Sequence, residues 1–358
     1  MPDIDCNCEM LSFHKDIVTL RRDQQIEMRK RRDAGRVRLC SGLDQKNHAH
    51  PTMAHSQGSY AMRTMTQDAN NDYDIDDGVY FPSSDLKDEK GEPLSAVEAR
   101  ERVCDALKWD GRLKHDATVK RNCVRQDYPE GYHIDVPVYR ITTATDDERH
   151  AQDIYELASD LDWIVSDARA VTRWFNASVS NEINEGESDA SQLRRITKLT
   201  KKFARSRDAW KSKTTSGICI TKLVVDNVLA SVDREDLALR RTWIAIKATL
   251  DADSSIKHPV QEDTLLAEPG EARVEFFRRK LEEALGWLEA LDEERCDRTA
   301  ARAIWDRVFN TSFFTDLPND DDGDKSGGPS NGGDSGRRSI TVTSTGTAKR
   351  EDNGGRFG

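Results

Sequence analysis

The sequence is short of several things, and each lack removes a class of function. No apolar run approaches the ~20 residues that cross a bilayer, so no membrane-spanning segment is expected. There is no surplus of basic charge: 54 Lys and Arg stand against 65 Asp and Glu, a formal charge of −11. A protein that coats long nucleic acid needs a broad basic footprint, which this balance argues against, while a small local pocket for triphosphates stays open. Seven cysteines lie at 6, 8, 40, 104, 123, 219 and 296 with no Cys-x-x-Cys pair, and nothing near the start reads as a signal peptide. Free thiols in a reduced, cytoplasmic protein are the expectation. Neither a Gly-x-Ser-x-Gly elbow nor a P-loop occurs. No internal repeat is found.

What is present suffices for two packed lobes, since 358 residues exceed the roughly 100–200 of one domain. Residues 12–36 read as one helix that Gly35 can end, 41–56 as a loop, and 57–67 as the start of a second helix. Two segments read as strands, Tyr73–Phe81 and His133–Ile141, rich in β-branched and aromatic residues at alternate positions. A helical stretch at about 94–108 separates them. From 151 onward the pattern reads as helical, beginning with Ile154, Leu157 and Leu161. Strands first and helices afterwards predict an α+β chain. The expected division is a core with its N-terminal helix over 1–150, a helical lobe over 151–316, and a disordered tail over 317–358. The tail is rich in Gly, Ser, Asn, Asp and Thr and too poor in apolar side chains to offset its ordering entropy.

The chemistry concentrates in carboxylates. Side chains alternate faces along a strand, so Asp74 and Asp76 point one way and Ile75 the other. Asp77 points away from the pair. On the second strand His133 and Asp135 share a face. Side by side, the strands would gather Asp74, Asp76 and Asp135 on one surface. Such a set suits a hard cation that fills its shell with water and phosphate oxygens. Two such ions about 3.5–4 Å apart can clamp an in-line displacement. Acidic residues on a strand are more often just a solvated face, but here Gln57-Gly58-Ser59 precedes them, a turn whose amides can approach phosphate. From Arg194 to Lys213 nine basic residues stand against one acidic residue, Asp208. That run is either a solvated face or a triphosphate contact. His48 and His50 read as surface residues, and the tryptophans at 163, 174, 210, 243, 287 and 305 as core.

Gln57-Gly58-Ser59-Tyr60, Asp74-Ile75-Asp76-Asp77-Gly78-Val79-Tyr80-Phe81-Pro82 and His133-Ile134-Asp135-Val136-Pro137-Val138-Tyr139 together resemble the bacterial cGAS/DncV-like nucleotidyltransferases of CBASS anti-phage systems, most closely their cyclic GMP-AMP synthase branch. Asp162-Trp163 and Trp174-Phe175-Asn176 resemble the entry to the family's helical lobe. The resemblance runs over roughly residues 55–230. It implies a bilobed polymerase-β-like core with a helical lobe. It implies Asp74, Asp76 and Asp135 as catalytic metal ligands for two Mg²⁺ ions, with Mn²⁺ as an alternative. It implies a 3′,3′-cyclic GMP-AMP product made from ATP and GTP, which activates a downstream effector.

Gln57, Gly58, Ser59, Lys202, Arg205 and Ser216 are the nucleotide-binding residues implied. The place of the family's triphosphate lysine falls on Ala204, between Lys202 and Arg205. Gly358 is implied as the acyl donor to an E1/E2-like conjugating partner. The zinc insert of the animal DNA sensors is absent, so direct activation by DNA is not expected. A non-cyclising nucleotidyltransferase that tails RNA or adenylylates protein or tRNA is the first rival. A degenerate, tail-presenting binding module is the second.

Overall fold

Alternating burial along one strand sets the plan of the N-terminal half. In the computed structural model, which describes residues 4–68, 71, 73–145, 151–180 and 191–318, the chain begins with α1 (Asn7–Phe13), a π-helical turn (His14–Val18) and α2 (Arg22–Gln45). There follow β1 (Met53–Gln57), α3 (Gly58–Ala61), β2 (Asp74–Pro82), α4 (Ala96–Lys108), β3 (Thr118–Val119), β4 (Val124–Asp127), β5 (His133–Val136), β6 (Val138–Thr145), β7 (Ala151–Ala158) and β8 (Trp163–Val165). The second half holds α5 (Ala168–Ser180), α6 (Gln192–Ala204), α7 (Asp208–Lys211), α8 (Gly217–Asn227), α9 (Glu235–Ala252), β9 (Ile256–Lys257), β10 (Leu265–Ala267), α10 (Ala272–Leu288) and α11 (Arg298–Phe309).

Ile75, Val79 and Phe81 of β2 are buried together with Leu39 and Leu43 of α2 and Val103 and Leu107 of α4. The other face of β2 carries Asp74, Asp76, Gly78 and Tyr80. β5 and β6 both run parallel to β2 in one register, Asp74 opposite His133 and Val79 opposite Val138. They are one strand interrupted at Pro137, which has no N–H for the ladder but whose carbonyl still accepts from the Val79 N–H at 2.9 Å. β1 pairs antiparallel along the opposite edge of β2, and β7 and β8 extend the sheet beyond β6. The α+β class is as expected, and α4 starts where Ser95 and Glu98 form a reciprocal capping box.

Four local expectations are corrected. The predicted helix over 12–36 is two helices with an extended break after Val18. Val18 packs in the core of the helical lobe and Leu20 in the core beneath the sheet, so the chain changes cores within two residues and cannot stay helical. α2 then runs past Gly35, which is buried against Gln126, and takes the first residues of the predicted 41–56 loop, while β1 takes its last ones. The predicted helix over 57–67 shrinks to the single turn of α3. The segment after 151 is strand rather than helix. β7 pairs with β6 along its whole length, and Leu161, read as part of the helical pattern, is 84% exposed in the turn that follows.

The division into parts shifts accordingly. The sheet continues to Val165, beyond the expected boundary at 150. Residues 6–18 pack with the helical lobe rather than with the sheet: Phe13 lies with ring centroids 4.7, 5.4 and 4.8 Å from those of Phe309, Phe313 and Phe314. Order extends through Leu317 and Pro318, whose carbonyls accept from Arg302. The remainder of the predicted tail, Gly358 included, lies outside the described residues. Among the described residues no helix is long and apolar enough to cross a membrane.

Candidate active site

Strand pairing dictates which acidic groups meet. On the β5 side of β2, Asp74 stands opposite His133 and Asp76 opposite Asp135; on the β1 side, Asp76 stands opposite Gln57. Asp135, Asp74 and Asp76 therefore occupy one face of two adjacent strands, as alternation requires. Asp77 faces the other way, where Arg36 grips it in a fork at 2.7 and 2.5 Å and the Ser56 hydroxyl donates at 2.9 Å.

Asp135 is buried, 3% exposed, and needs a counter-charge. Arg125, its cross-strand partner on β4, supplies one through two parallel hydrogen bonds of 2.8 and 2.9 Å. His133 Nε2 lies 3.7 Å from an oxygen of Asp74 and 3.7 Å from an oxygen of Asp135. Burial alone would lower the His133 pKa, but the two carboxylates outweigh it and raise the imidazole above its ordinary value. Asp74, His133 and Asp135 each offer a ligand atom, all within 4.8 Å of one another, a set that can hold a metal ion. The donors fit a divalent cation: two carboxylates and a buried ring nitrogen that makes no hydrogen bond among the described residues.

Asp76 shares the face but turns toward the glycine-serine turn. Gly58 has φ +62°, and a Cβ there would stand 2.2 Å from Asp76 Oδ2. Only glycine fits, on both counts. Ser59 follows, half-buried, in the single turn of α3. Gln57, expected to touch nucleotide, instead braces the sheet. Its buried amide donates to the Tyr139 hydroxyl at 3.0 Å and accepts from the Tyr80 hydroxyl at 3.3 Å, beneath two tyrosine rings stacked 4.5 Å apart.

Of the helical-lobe residues expected at the site, Lys202 donates to the Gln67 carbonyl at 3.0 Å, and burial pushes its pKa down. Arg205 is half-buried at the end of α6. Ser216 is the N-cap of α8, its oxygen accepting from the Cys219 N–H at 3.3 Å.

The residue that sequence reasoning passed over is Lys201. It is 7% exposed and donates to the Thr64 hydroxyl at 2.9 Å, across from α6 to the turn after α3. Burial pushes its pKa down to about 7, with Asp74 opposing that shift and Lys198 adding to it. Its side chain also passes Gly217 at the start of α8. A signal existed: Arg194, Lys198, Lys201 and Arg205 fall at intervals of four, three and four, one stripe of a helix. Arg194 on that stripe likewise donates to the Met62 carbonyl of the facing lobe, at 3.3 Å.

Residues 52–139, which contain every element of this carboxylate face, match the family model for the cyclic GMP-AMP synthase DncV-like nucleotidyltransferase domain. That stretch is similar to the DncV-like nucleotidyltransferase domain. Beyond that domain, both lobes superpose on solved structures. Vibrio cholerae DncV cyclic AMP-GMP synthase, in complex with its linear intermediate, is 18% identical; the match covers 83% of this chain and 92% of that one, with a TM-score of 0.64. Escherichia coli DncV in its 3′-deoxy GTP form is 16% identical over 87% of this chain and 97% of that one, TM-score 0.63. CdnC of E. coli MS115-1 with ATP is 15% identical over 87% and 99%, TM-score 0.63. The bilobed polymerase-β-like fold is thereby shared from the DncV-like domain through the helical lobe.

Proposed function

We propose that this nucleotidyltransferase joins nucleoside triphosphates into a cyclic dinucleotide, with ATP and GTP as substrates and 3′,3′-cyclic GMP-AMP as the product. The observation that carries the proposal is the register of β2 and β5, which sets Asp74 and Asp76 against His133 and Asp135 on one face. The solved relatives hold a pppA(3′,5′)pG intermediate, 3′-deoxy GTP or ATP, which supports triphosphate substrates here.

Asp74, Asp76 and Asp135 are the proposed catalytic carboxylates, and Asp74 and Asp135 would hold a divalent cation. When bound, the cation supplies charge neutralisation at the triphosphate and a lowered pKa for the attacking hydroxyl. The chain's own groups do the rest. Gly58 keeps a side chain out of the way so that backbone can approach phosphate beside Asp76. Lys201, already aimed at Asp74 from the helical lobe, pairs with the triphosphate, and a phosphate at that position restores its charge. Ser59, Ser216 and Arg205 are proposed to complete the nucleotide contacts. Arg125 holds Asp135 in its rotamer without consuming both lone pairs of either oxygen.

We place the activity in the cytoplasm and in anti-phage signalling through a nucleotide-activated effector, with Gly358 as the conjugation point for an E1/E2-like partner. Incubating the chain with four radiolabelled NTPs and Mg²⁺ or Mn²⁺ tests the reaction class. A phosphatase-resistant small product is expected. Label found only on added RNA, tRNA or protein would replace cyclisation with a tailing or adenylylating activity.

A further inference from the structure

His133 stands where a metal ligand would stand, its Nε2 facing the carboxylates of Asp74 and Asp135. Its side chain is 5% exposed, and Nε2 makes no hydrogen bond among the described residues. Its neighbours there are two carboxylate oxygens, and with them it forms a donor set that an ion can enter. Nε2 points between Asp74 and Asp135, 3.7 Å from an oxygen of each. Two donors about 2.1 Å from a shared ion stand at most about 4.2 Å apart, so an ion can bind Nε2 together with either oxygen with little movement. The position is fixed by backbone: His133 is the β5 residue paired with Asp74, and Asp135 lies two residues on, on the same face. Arg125 does not compete for the site. It uses one lone pair on each Asp135 oxygen, out of about four on the carboxylate.

We propose that His133 is a nitrogen ligand to a divalent cation held with Asp74 and Asp135, and that this mixed donor set makes the chain prefer Mn²⁺ over Mg²⁺. The inference rests on the nucleotidyltransferase reading only in requiring that Asp74 and Asp135 bind a cation at all. Magnesium is a hard ion that favours an all-oxygen shell. Imidazole suits transition ions, and Mn²⁺ accepts both nitrogen and carboxylate oxygen. A set of three aspartates alone would not discriminate in this way. Asp76 lies on the same face beside Gly58.

The test reads the ligand atom directly. Full-length protein is produced with ¹⁵N-histidine and with natural-abundance histidine, loaded with Mn²⁺, and measured by electron spin-echo envelope modulation. The expected result is a bound-Mn²⁺ signal with ¹⁴N modulation in the natural protein, replaced by the ¹⁵N pattern in the labelled one. In His133→Asn the modulation is lost while Mn²⁺ still binds, more weakly by on the order of tenfold, and Mg²⁺ affinity measured by competition changes much less. The labelled wild-type chain needs no substitution, so a variant that fails to fold does not spare the proposal. Bound Mn²⁺ without nitrogen modulation, or modulation that persists in a folded His133→Asn, overturns the His133 assignment and leaves the carboxylate site standing. A spectrum of free aquo Mn²⁺ only, unchanged by Asp74→Asn, overturns the cation site itself.

Discussion

Two residues decide whether substrate can reach the carboxylate face, and each carries a prediction. Gly58 sits at φ +62° with Asp76 where its Cβ would be. Gly58→Ala is expected to cost about 1–3 kcal/mol of folding stability from backbone strain and to push Asp76 aside. Product formation should fall at least about 100-fold, checked by steady-state kinetics beside a thermal melt. An activity loss no larger than the stability loss implies would show that the turn is only structural.

Lys201 and Lys202 are neighbours in sequence but not in role. Lys201→Met should lower kcat/KM by roughly 100-fold, in the range of a lost charge-assisted phosphate contact, while Lys202→Met should cost less than about fivefold. Lys202 was expected at the site because the resemblance placed the family's triphosphate lysine on Ala204, beside it. The basic stripe through Lys198 and Lys201 was legible in the sequence and points to Lys201, next to Lys202. Gln57 lies in the motif, and its amide meets two tyrosine hydroxyls that only the folded sheet brings near.

At the scale of elements, β2, β5 and α4 were readable because one local rule governed each: period two for the strands and the apolar spacing of Leu94, Val97, Val103 and Leu107 for the helix. β7 was not. Ile154 and Leu157 are three apart, which suits one face of a helix, and the pairing with β6 that overrides it is nonlocal. The passage from α1 to α2 was equally hidden, because which core claims Val18 and which claims Leu20 is a tertiary fact.

That passage has its own acid sensitivity. His14, in the π-helical turn, is buried beside Lys198 and Arg195, and its pKa is lowered to about 3, first by burial and then by those cations. Between about pH 6.5 and 3 the unfolded chain binds a proton there that the folded chain rejects. Stability should therefore fall as pH falls through that window, by up to about 1.4 kcal/mol per pH unit from this group, and be unaffected by it above pH 6.5. Urea titrations at several pH values should show a shallower acid loss in His14→Gln. An identical acid slope in the variant would contradict the assignment.

For the whole molecule, the architecture follows from two cores joined by a site. One core lies under the sheet and the other in the helical lobe, to which the N-terminal helix also belongs. Between them, Lys201 reaches Thr64 and Arg194 reaches Met62, so the cationic side of the site comes from one lobe and the anionic side from the other. That arrangement explains how a chain of net charge −11 can receive triphosphates. Buried basic side chains of α6 (Arg194, Lys198 and Lys201) stand on the helical-lobe side, although the chain as a whole carries excess negative charge.

The central claim is that Asp74, Asp76 and Asp135 act as one catalytic unit making a cyclic dinucleotide. Mass spectrometry with nuclease mapping of linkages, on the product of purified wild type and of folded Asp74→Asn, Asp76→Asn and Asp135→Asn variants given ATP and GTP, tests it most directly. The account predicts a cyclic dinucleotide with two 3′,5′ linkages from wild type and a loss of more than about 1000-fold in each variant. Equal product from wild type and Asp135→Asn would contradict it.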